Sequence, residues 1–283
     1  MENAGWLKDY ANQSIVDNAG NFDVVIPLYT CIGFAEDYKK MVVKMKHELI
    51  LTRSNNDTNA IIGTGDQENV QVTLTKIEWL MPYLVLSDVK KVEYMKYIEK
   101  DPLITMGFRS WDLYEYPLLP ATTDQVWTVK TSSQLEKPRF VILGFQTAKN
   151  NTRTANASHF DHCHIRNVKL FLNAQSYPYG NLNLDIEHNK FAVLFDMFKN
   201  FQSSYYEKET AETSLTRNQF IGNAPLIIID CSKQNEFSKY APVDIRLEFE
   251  AAHDFPASTS AFCLILHDRI IQYRPLSGEI KKL

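Results

Sequence analysis

Three stretches near the C-terminus decide the fold: Pro225-Leu-Ile-Ile-Ile-Asp230, Val243-Asp-Ile-Arg-Leu-Glu-Phe-Glu250 and Ala261-Phe-Cys-Leu-Ile-Leu-His267. The second alternates without a break. Val243, Ile245, Leu247 and Phe249 point one way, and Asp244, Arg246, Glu248 and Glu250 the other. A period of two with one wet face marks a half-buried antiparallel strand. The third is apolar on both faces and bounded by Asp-Phe-Pro-Ala and His-Asp, which fits a strand covered on both sides. The chain therefore closes in a β-sandwich or barrel, and no catalytic motif accompanies it.

Composition agrees. The 283 residues can enclose a large core, as one large or two small domains. The 16 Phe and 14 Tyr suit broad packed sheet faces, whereas only 10 Gly argue against glycine-rich phosphate loops. A net charge of -4 excludes a generically basic nucleic-acid binder. Four cysteines (Cys31, Cys163, Cys231, Cys263) are scattered without a CxxC pair, and Met1-Glu-Asn-Ala-Gly5 has no signal-peptide character. Both point to synthesis in a reducing compartment with free thiols. No apolar run approaches the ~20 residues of a membrane span. The Asn-x-Ser/Thr triplets at Asn12, Asn56, Asn150 and Asn156 read as loop composition.

Along the chain, residues 1–20 read as a loose arm. Residues 23–28 and 41–53 read as extended, with a helical turn near Gly33 to Lys40 between them. Val70, Val72 and Leu74 alternate, and the phase slips at Lys76 so that Ile77 and Trp79 take the opposite parity, the sign of a bulge or bend. Ser87 to Lys100 reads as a helix capped by Ser87 and stopped at Asp101-Pro102. Strands follow at Phe108–Tyr116, Gln125–Thr131, Pro138–Thr147 and Ile165–Leu172. Val126, Val129, Ile165 and Val168 do not keep a strict alternation. Phe191, Leu194, Phe195 and Phe198 make a helix of Asn189 to Phe201, and Tyr205 to Gln219 reads as a charged connection. About a dozen strands with short helices in the insertions give an all-β class, and long connections between strands are those of jelly rolls and Greek keys.

Two clusters invite a chemical reading. In His159-Phe-Asp-His-Cys-His164, His162 and His164 would share a strand face with Cys163 turned away. Zinc needs four convergent ligands, and donors packed this densely along one segment do not close round one ion. The plainer reading has Asp161 capping a turn and one histidine hydrogen-bonded inside. Cys231, His267 and Asp268 could suggest a nucleophile with a His/Asp pair, yet Cys231 follows a buried strand and has no nucleophile motif around it. The row Asp244, Arg246, Glu248, Glu250 is a solvated strand face. The aromatic helix face (Phe191, Phe195, Phe198) is core or, with Phe201, Tyr205 and Tyr206, an intersubunit contact.

Five phrases in order carry a resemblance. They are Lys137-Pro-Arg-Phe-Val-Ile-Leu-Gly-Phe-Gln-Thr147, Phe171-Leu-Asn-Ala-Gln-Ser-Tyr-Pro-Tyr179, Asn181-Leu-Asn-Leu-Asp185, Pro242-Val-Asp-Ile-Arg-Leu-Glu-Phe249 and Cys263-Leu-Ile-Leu-His-Asp-Arg-Ile270. As a set they resemble the hexon-like major capsid proteins of Polinton/Maverick elements and adintoviruses, relatives of virophage and adenovirus-type capsomers. The resemblance implies a viral-type double jelly roll, with three chains forming a pseudo-hexagonal capsomer. It implies no active site: no catalytic, cofactor or metal residues are expected. The implied partners are two further copies as a homotrimer, neighbouring capsomers and a minor (penton) capsid protein, without sequence-specific nucleic acid or a membrane span. The implied location is the virion, after synthesis inside a host cell.

On that resemblance, residues 1–102 are an N-terminal arm with a partial first jelly roll. Residues 103–283 are a second jelly roll with a helical insertion near 187–220. The first roll would lack its opening strands, as in a C-terminal portion, a shortened relative or a host-domesticated copy. Two other function classes stay open from the residues alone. One is a jelly-roll module binding carbohydrate or protein. The other is a metal-dependent jelly-roll oxygenase using His159, Asp161 and His164, with His188, His253 and His267 further downstream.

Overall fold

A computed structural model describes residues 2–7, 13–63, 71–130, 138–209, 213, 215–233 and 243–282. Asn12, Val70, Thr131, Lys137 and Pro242 of the sequence reading lie outside these. Nine strands are assigned among the described residues: β1 (Ile104–Tyr116), β2 (Asp124–Lys130), β3 (Pro138–Thr147), β4 (Ile165–Leu172), β5 (Gln175–Tyr177), β6 (Ile227–Asp230), β7 (Ile245–Ala251), β8 (Thr259–Tyr273) and β9 (Ile280–Lys282). Four helices accompany them: α1 (Gly33–Asp37), α2 (Asp88–Glu99), α3 (Ala192–Tyr206) and α4 (Arg217–Asn223).

The strands form two sheets. One runs β1-β8-β3-β6, with β9 added to β8; the other runs β2-β7-β4-β5. Strand 1 thus lies beside 8, 2 beside 7, 3 beside 6 and 4 beside 5. These are the pairs of one long antiparallel hairpin wrapped into two facing sheets, which is a jelly roll. Fold class all-β is what the sequence led us to expect.

Two compact units are present. The larger comprises His47–Val85 and Trp111–His267. Its interior is the space between the sheets. Phe145 of β3 meets Phe249 of β7 at 5.3 Å between ring centroids, and Phe255 closes on both at 5.4 and 5.7 Å. Such aromatic pairs add about 0.5–1.5 kcal/mol each beyond the area they bury. Val141, Leu143 and Phe145 share this inner face with Ala261, Cys263 and Ile265, their register partners on β8, and all are buried.

The other face of β3 is also covered. Phe140 packs edge-on against Phe201 of α3 at 5.0 Å, and Tyr205 at the end of that helix lies 5.6 Å from Trp111 of β1. Leu194, Phe198 and Tyr205 are buried, so the aromatic stripe of α3 is core. Helix α4 supports it, with Phe198 and Phe220 4.9 Å apart. Part of the segment that reads as a charged connection is thus a helix. Its signal was present, since Thr216 and Gln219 form a reciprocal capping box, at 3.3 and 3.1 Å. Arg217 then lays its guanidinium over Phe191, 4.4 Å from the ring centroid.

The outer face of the second sheet stays wet. On β7, Arg246 and Glu250 are exposed while Ile245, Leu247, Phe249 and Ala251 are buried. The irregular strands have a simple cause. Register shifts fall between Thr128 and Lys130 of β2 and between Ile165 and Asn167 of β4. The bulge in β4 turns Ile165 and Val168 both inward, whereas in β2 Trp127 and Val129 share the inner face by ordinary alternation and Val126 faces water.

The segment before β1 departs from the sequence reading. Residues 23–28, 41–53 and 72–79 hold no strand. Lys44 has φ 54°, which breaks an extended run, and no strand among the described residues pairs with the others. Within the larger unit, the turn cluster at 54–63 is instead laced to the loop after β3. Asn56 Nδ2 donates to Asn151 Oδ1 at 2.8 Å, Asn59 Nδ2 to Asn150 Oδ1 at 2.8 Å, and the Asn151 N–H to Asn59 Oδ1 at 2.7 Å.

The smaller unit comprises Met1–Lys46, Leu86–Ser110 and Asp268–Leu283. Phe34 of α1 packs on Phe108 of β1 at 5.2 Å, and the Tyr273 hydroxyl donates to the Val43 carbonyl at 3.0 Å. Asp37 accepts from the Arg109 N–H at 2.7 Å and from its Nε at 2.9 Å, and the Arg109 Nη2 also binds it.

Two outcomes follow from this packing. A Cβ on Gly144 would sit 2.6 Å from Phe160 Cδ1 and 2.8 Å from Leu226 Cδ2, so Gly144→Ala is expected to lower stability by about 1–3 kcal/mol in urea denaturation. Hydrogen bonds from Arg109 hold the Asp37 carboxyl below its ordinary value, against the opposing pull of burial. A depressed folded pKa gives stability that is complete above the unfolded value of ~3.9 and fades as pH falls through the folded one. Asp37→Asn should therefore cost about 1.5–3 kcal/mol at pH 7, and wild type and variant should converge as pH falls through the depressed Asp37 value.

Candidate functional site

The segment 159–164 does not behave as one strand face. Asp161 pairs with Phe145 as a single β-bridge, its Oδ2 accepts from the Thr147 N–H at 2.8 Å, and its Oδ1 meets Lys149 Nζ at 2.7 Å. It pins the end of β3. The His159 carbonyl accepts from Gln146 Nε2 at 3.0 Å and from Lys149 Nζ at 3.1 Å, and its ring contacts Asn156 at 3.2 Å. Burial and then the Lys149 charge push the His159 pKa down. This is the structural reading of the segment, with Asp161 fixing a turn and a histidine hydrogen-bonded nearby.

Residues 162–165 form a tight turn, closed by the Ile165 N–H donating to the His162 carbonyl at 3.0 Å. Cys163 and His164 both lie in the left-handed region, at φ 43° and 47°. The expected strand face is therefore a turn. Cys163 still points inward, and the His162 and His164 rings meet edge-on at 4.6 Å. The turn sends His164 toward residues far away in sequence. Glu187 Oε1 lies 3.3 Å from His164 Nδ1 and 2.9 Å from His253 Nε2. The side chains are partly exposed, and the Glu187 carboxyl is held below its ordinary value, mainly by the hydrogen bond with His253. His159 and Asp161, the donors that local spacing suggested, belong to the β3 anchor instead.

The other candidates separate. The Cys231 thiol is buried, contacts the Ile229 carbonyl at 3.7 Å and has its pKa pushed far up by burial. A nucleophilic cysteine needs thiolate, which burial of this kind suppresses. His267 is buried and lies 3.8 Å from Asp112, whereas its neighbour Asp268 is exposed. On β7, Arg246 pairs with Glu248 at 3.1 Å and covers Phe171 at 4.4 Å, as on a solvated sheet face.

The largest unexplained feature is apolar surface. Along residues 74–85, Leu74, Ile77, Trp79, Leu80, Tyr83, Leu84 and Val85 are exposed, Leu80 at 79% and Val85 at 93%. Monomeric surfaces rarely leave so much contiguous apolar material uncovered. In the smaller unit, the stripe Val89, Val92 and Met95 of α2 is exposed as well.

The sequence matches the double jelly roll-like domain family over residues 1–271. The chain belongs to that family. A search of curated proteins gives no match. Among solved structures, a chain in the cryo-EM structure of the Sputnik virophage is similar at 10% identity and TM-score 0.40, covering 64% of this chain and 39% of that one. PBCV-1 VP54, as fitted into a reconstruction of the virophage Sputnik, is similar at 9% identity and TM-score 0.38, covering 70% of this chain and 54% of that one. The chain spans about two fifths and about half of their respective lengths.

For this double jelly roll-like chain, no helix among the described residues is long and apolar enough to cross a membrane. The thiols offer a direct check of its interior. Cys163, Cys231 and Cys263 are buried and Cys31 is exposed; burial pushes Cys163 up to about 11 and Cys263 to about 12. A thiol reagent at pH 8 should modify one cysteine in the native protein and all four after denaturation. Fast native modification of Cys231 or Cys263 would contradict the packing of β6 and β8.

Proposed function

We propose that this chain is a structural capsid subunit of a double jelly-roll DNA virus or virus-like transposon, non-enzymatic, and assembling as trimeric pseudo-hexagonal capsomers. The observation that carries the reading is a closed eight-strand roll joined to a segment whose apolar residues have no cover. Rigid sandwiches suit a shell wall, and uncovered apolar surface suits a protein that works as an assembly. The five phrases resembling Polinton/Maverick and adintovirus capsid proteins support the same reading, as does membership of the double jelly roll-like family.

On this reading residues 1–102 are an arm and a partial first roll, and residues 103–283 are the second roll with its insertion near 187–220. The exposed stretch 74–85 is covered in the assembled capsomer, where neighbouring copies and capsomers, and a penton protein at special positions, are the partners. The virion is the place of action.

Light scattering of the purified chain tests this. A mass of three chains is expected, and negative-stain images should show compact trimers. Leu80→Asp with Leu84→Asp should shift the species toward monomer without changing the far-UV circular dichroism. A wild-type protein that stays monomeric at every concentration would sink the capsomer reading.

A further inference from the structure

We propose that His164, Glu187 and His253 form a binding site for a divalent transition-metal ion of the zinc type, with three protein ligands and an open fourth position. The donor set is two imidazoles and one carboxylate, which suits a borderline-soft ion. One atom of each residue lies within 4.8 Å of the others. The 3.3 Å separation is already that between ligand atoms around a small tetrahedral ion with bonds of about 2.0–2.2 Å, and the 2.9 Å hydrogen-bond separation would open by about half an ångström on binding. Small rotations of the side chains would place the ion between them.

Each donor stands on a loop held by backbone hydrogen bonds. Glu187 sits in a turn closed by paired hydrogen bonds between Asp185 and Lys190, at 3.0 and 2.8 Å. The Asp185 carboxylate also accepts from the His188 N–H at 3.2 Å and contacts its ring at 2.8 Å, which engages His188 away from Glu187. His253 follows β7, and the adjacent Ala252 N–H donates to the His164 carbonyl at 2.8 Å, tying that corner to the histidine turn. His162 Nδ1 accepts from the His164 N–H at 3.1 Å and fixes the turn from the other side.

The backbone is the second, independent observation. Two successive non-glycine residues in the left-handed region are costly, and glycine would serve a turn of this shape with less strain. A strained turn that presents a ligating side chain is a feature of functional sites. The site would clasp the start of β4, the 185–190 turn and the corner after β7, all within the larger unit. Its fourth position would take water or a donor from outside the chain.

The test uses tag-free full-length protein stripped with chelator and titrated with zinc chloride by calorimetry. One equivalent per chain and a raised melting temperature are expected, both reversed by chelator. His253→Ala and Glu187→Gln should each abolish saturable zinc uptake, while His188→Ala retains it. His164→Gly separates site from fold, since it relieves the turn and should keep the melting temperature of metal-free protein while losing zinc binding. Absence of saturable zinc uptake by the wild type, or equal uptake by His253→Ala and Glu187→Gln, would overturn the site.

Discussion

The structure depends on a central sheet that is apolar on both faces. β3 runs Phe140-Val-Ile-Leu-Gly-Phe145 with almost no side chain left in water. One face has to meet a second sheet, and β7 supplies it through Phe249. The other has to be roofed, and α3 and α4 do so with Phe201, Phe198 and Phe220. The helical insertion is therefore part of the core. Gly144 marks how closely this outer face is packed, since Phe160 and Leu226 from neighbouring loops occupy the space where a side chain would be. Burial at roughly 25 cal/mol per Å² makes both coverings strongly favourable.

That arrangement also explains where polar groups go. The wrapped hairpin sends its connections to the ends of the sheets, so residues far apart in sequence meet there. Asp161 and Lys149 close the end of β3, and the asparagines of 56–59 lace to those of 150–151. His164, Glu187 and His253 come together by the same logic. Their spacing of 23 and 66 residues is set by the insertion and by the long route from β4 to β7. The dense histidine run at 159–164 holds one of them, His164, beside His159 and Asp161, which serve the backbone, whereas Glu187 and His253 belong to no local motif with it.

The N-terminal third shows the limit of periodicity. Residues 41–53 and 72–79 carry strand-like alternation, and Val89, Val92 and Met95 form a helical stripe. Alternation records a face meant for burial, but a strand exists only where another backbone accepts its hydrogen bonds. Here the helix α2 forms, because its hydrogen bonds are internal, while the strand-like stretches join no sheet among the described residues and are largely exposed.

Sequence alone determined the all-β class, the bounds of β3 and β4, the wet and dry faces of β7, and the apolar stripe of α3. Each is a local pattern that one segment expresses by itself. It also flagged the irregular phase of β2 and β4, though only the ladders located the bulges. The short polar strand β5 and the edge strand β9 had no pattern to read; they exist because β4 and β8 offer them partners. The capping box of α4 is written in Thr216 and Gln219, but surrounding polar residues give the segment no apolar period of its own. Tertiary structure alone decided the wrap order of the two sheets, the roof over β3, the inert state of the buried thiols and the convergence of the histidine–glutamate cluster. All of these depend on long-range pairing, which is set by total burial and hydrogen-bond satisfaction over the whole chain.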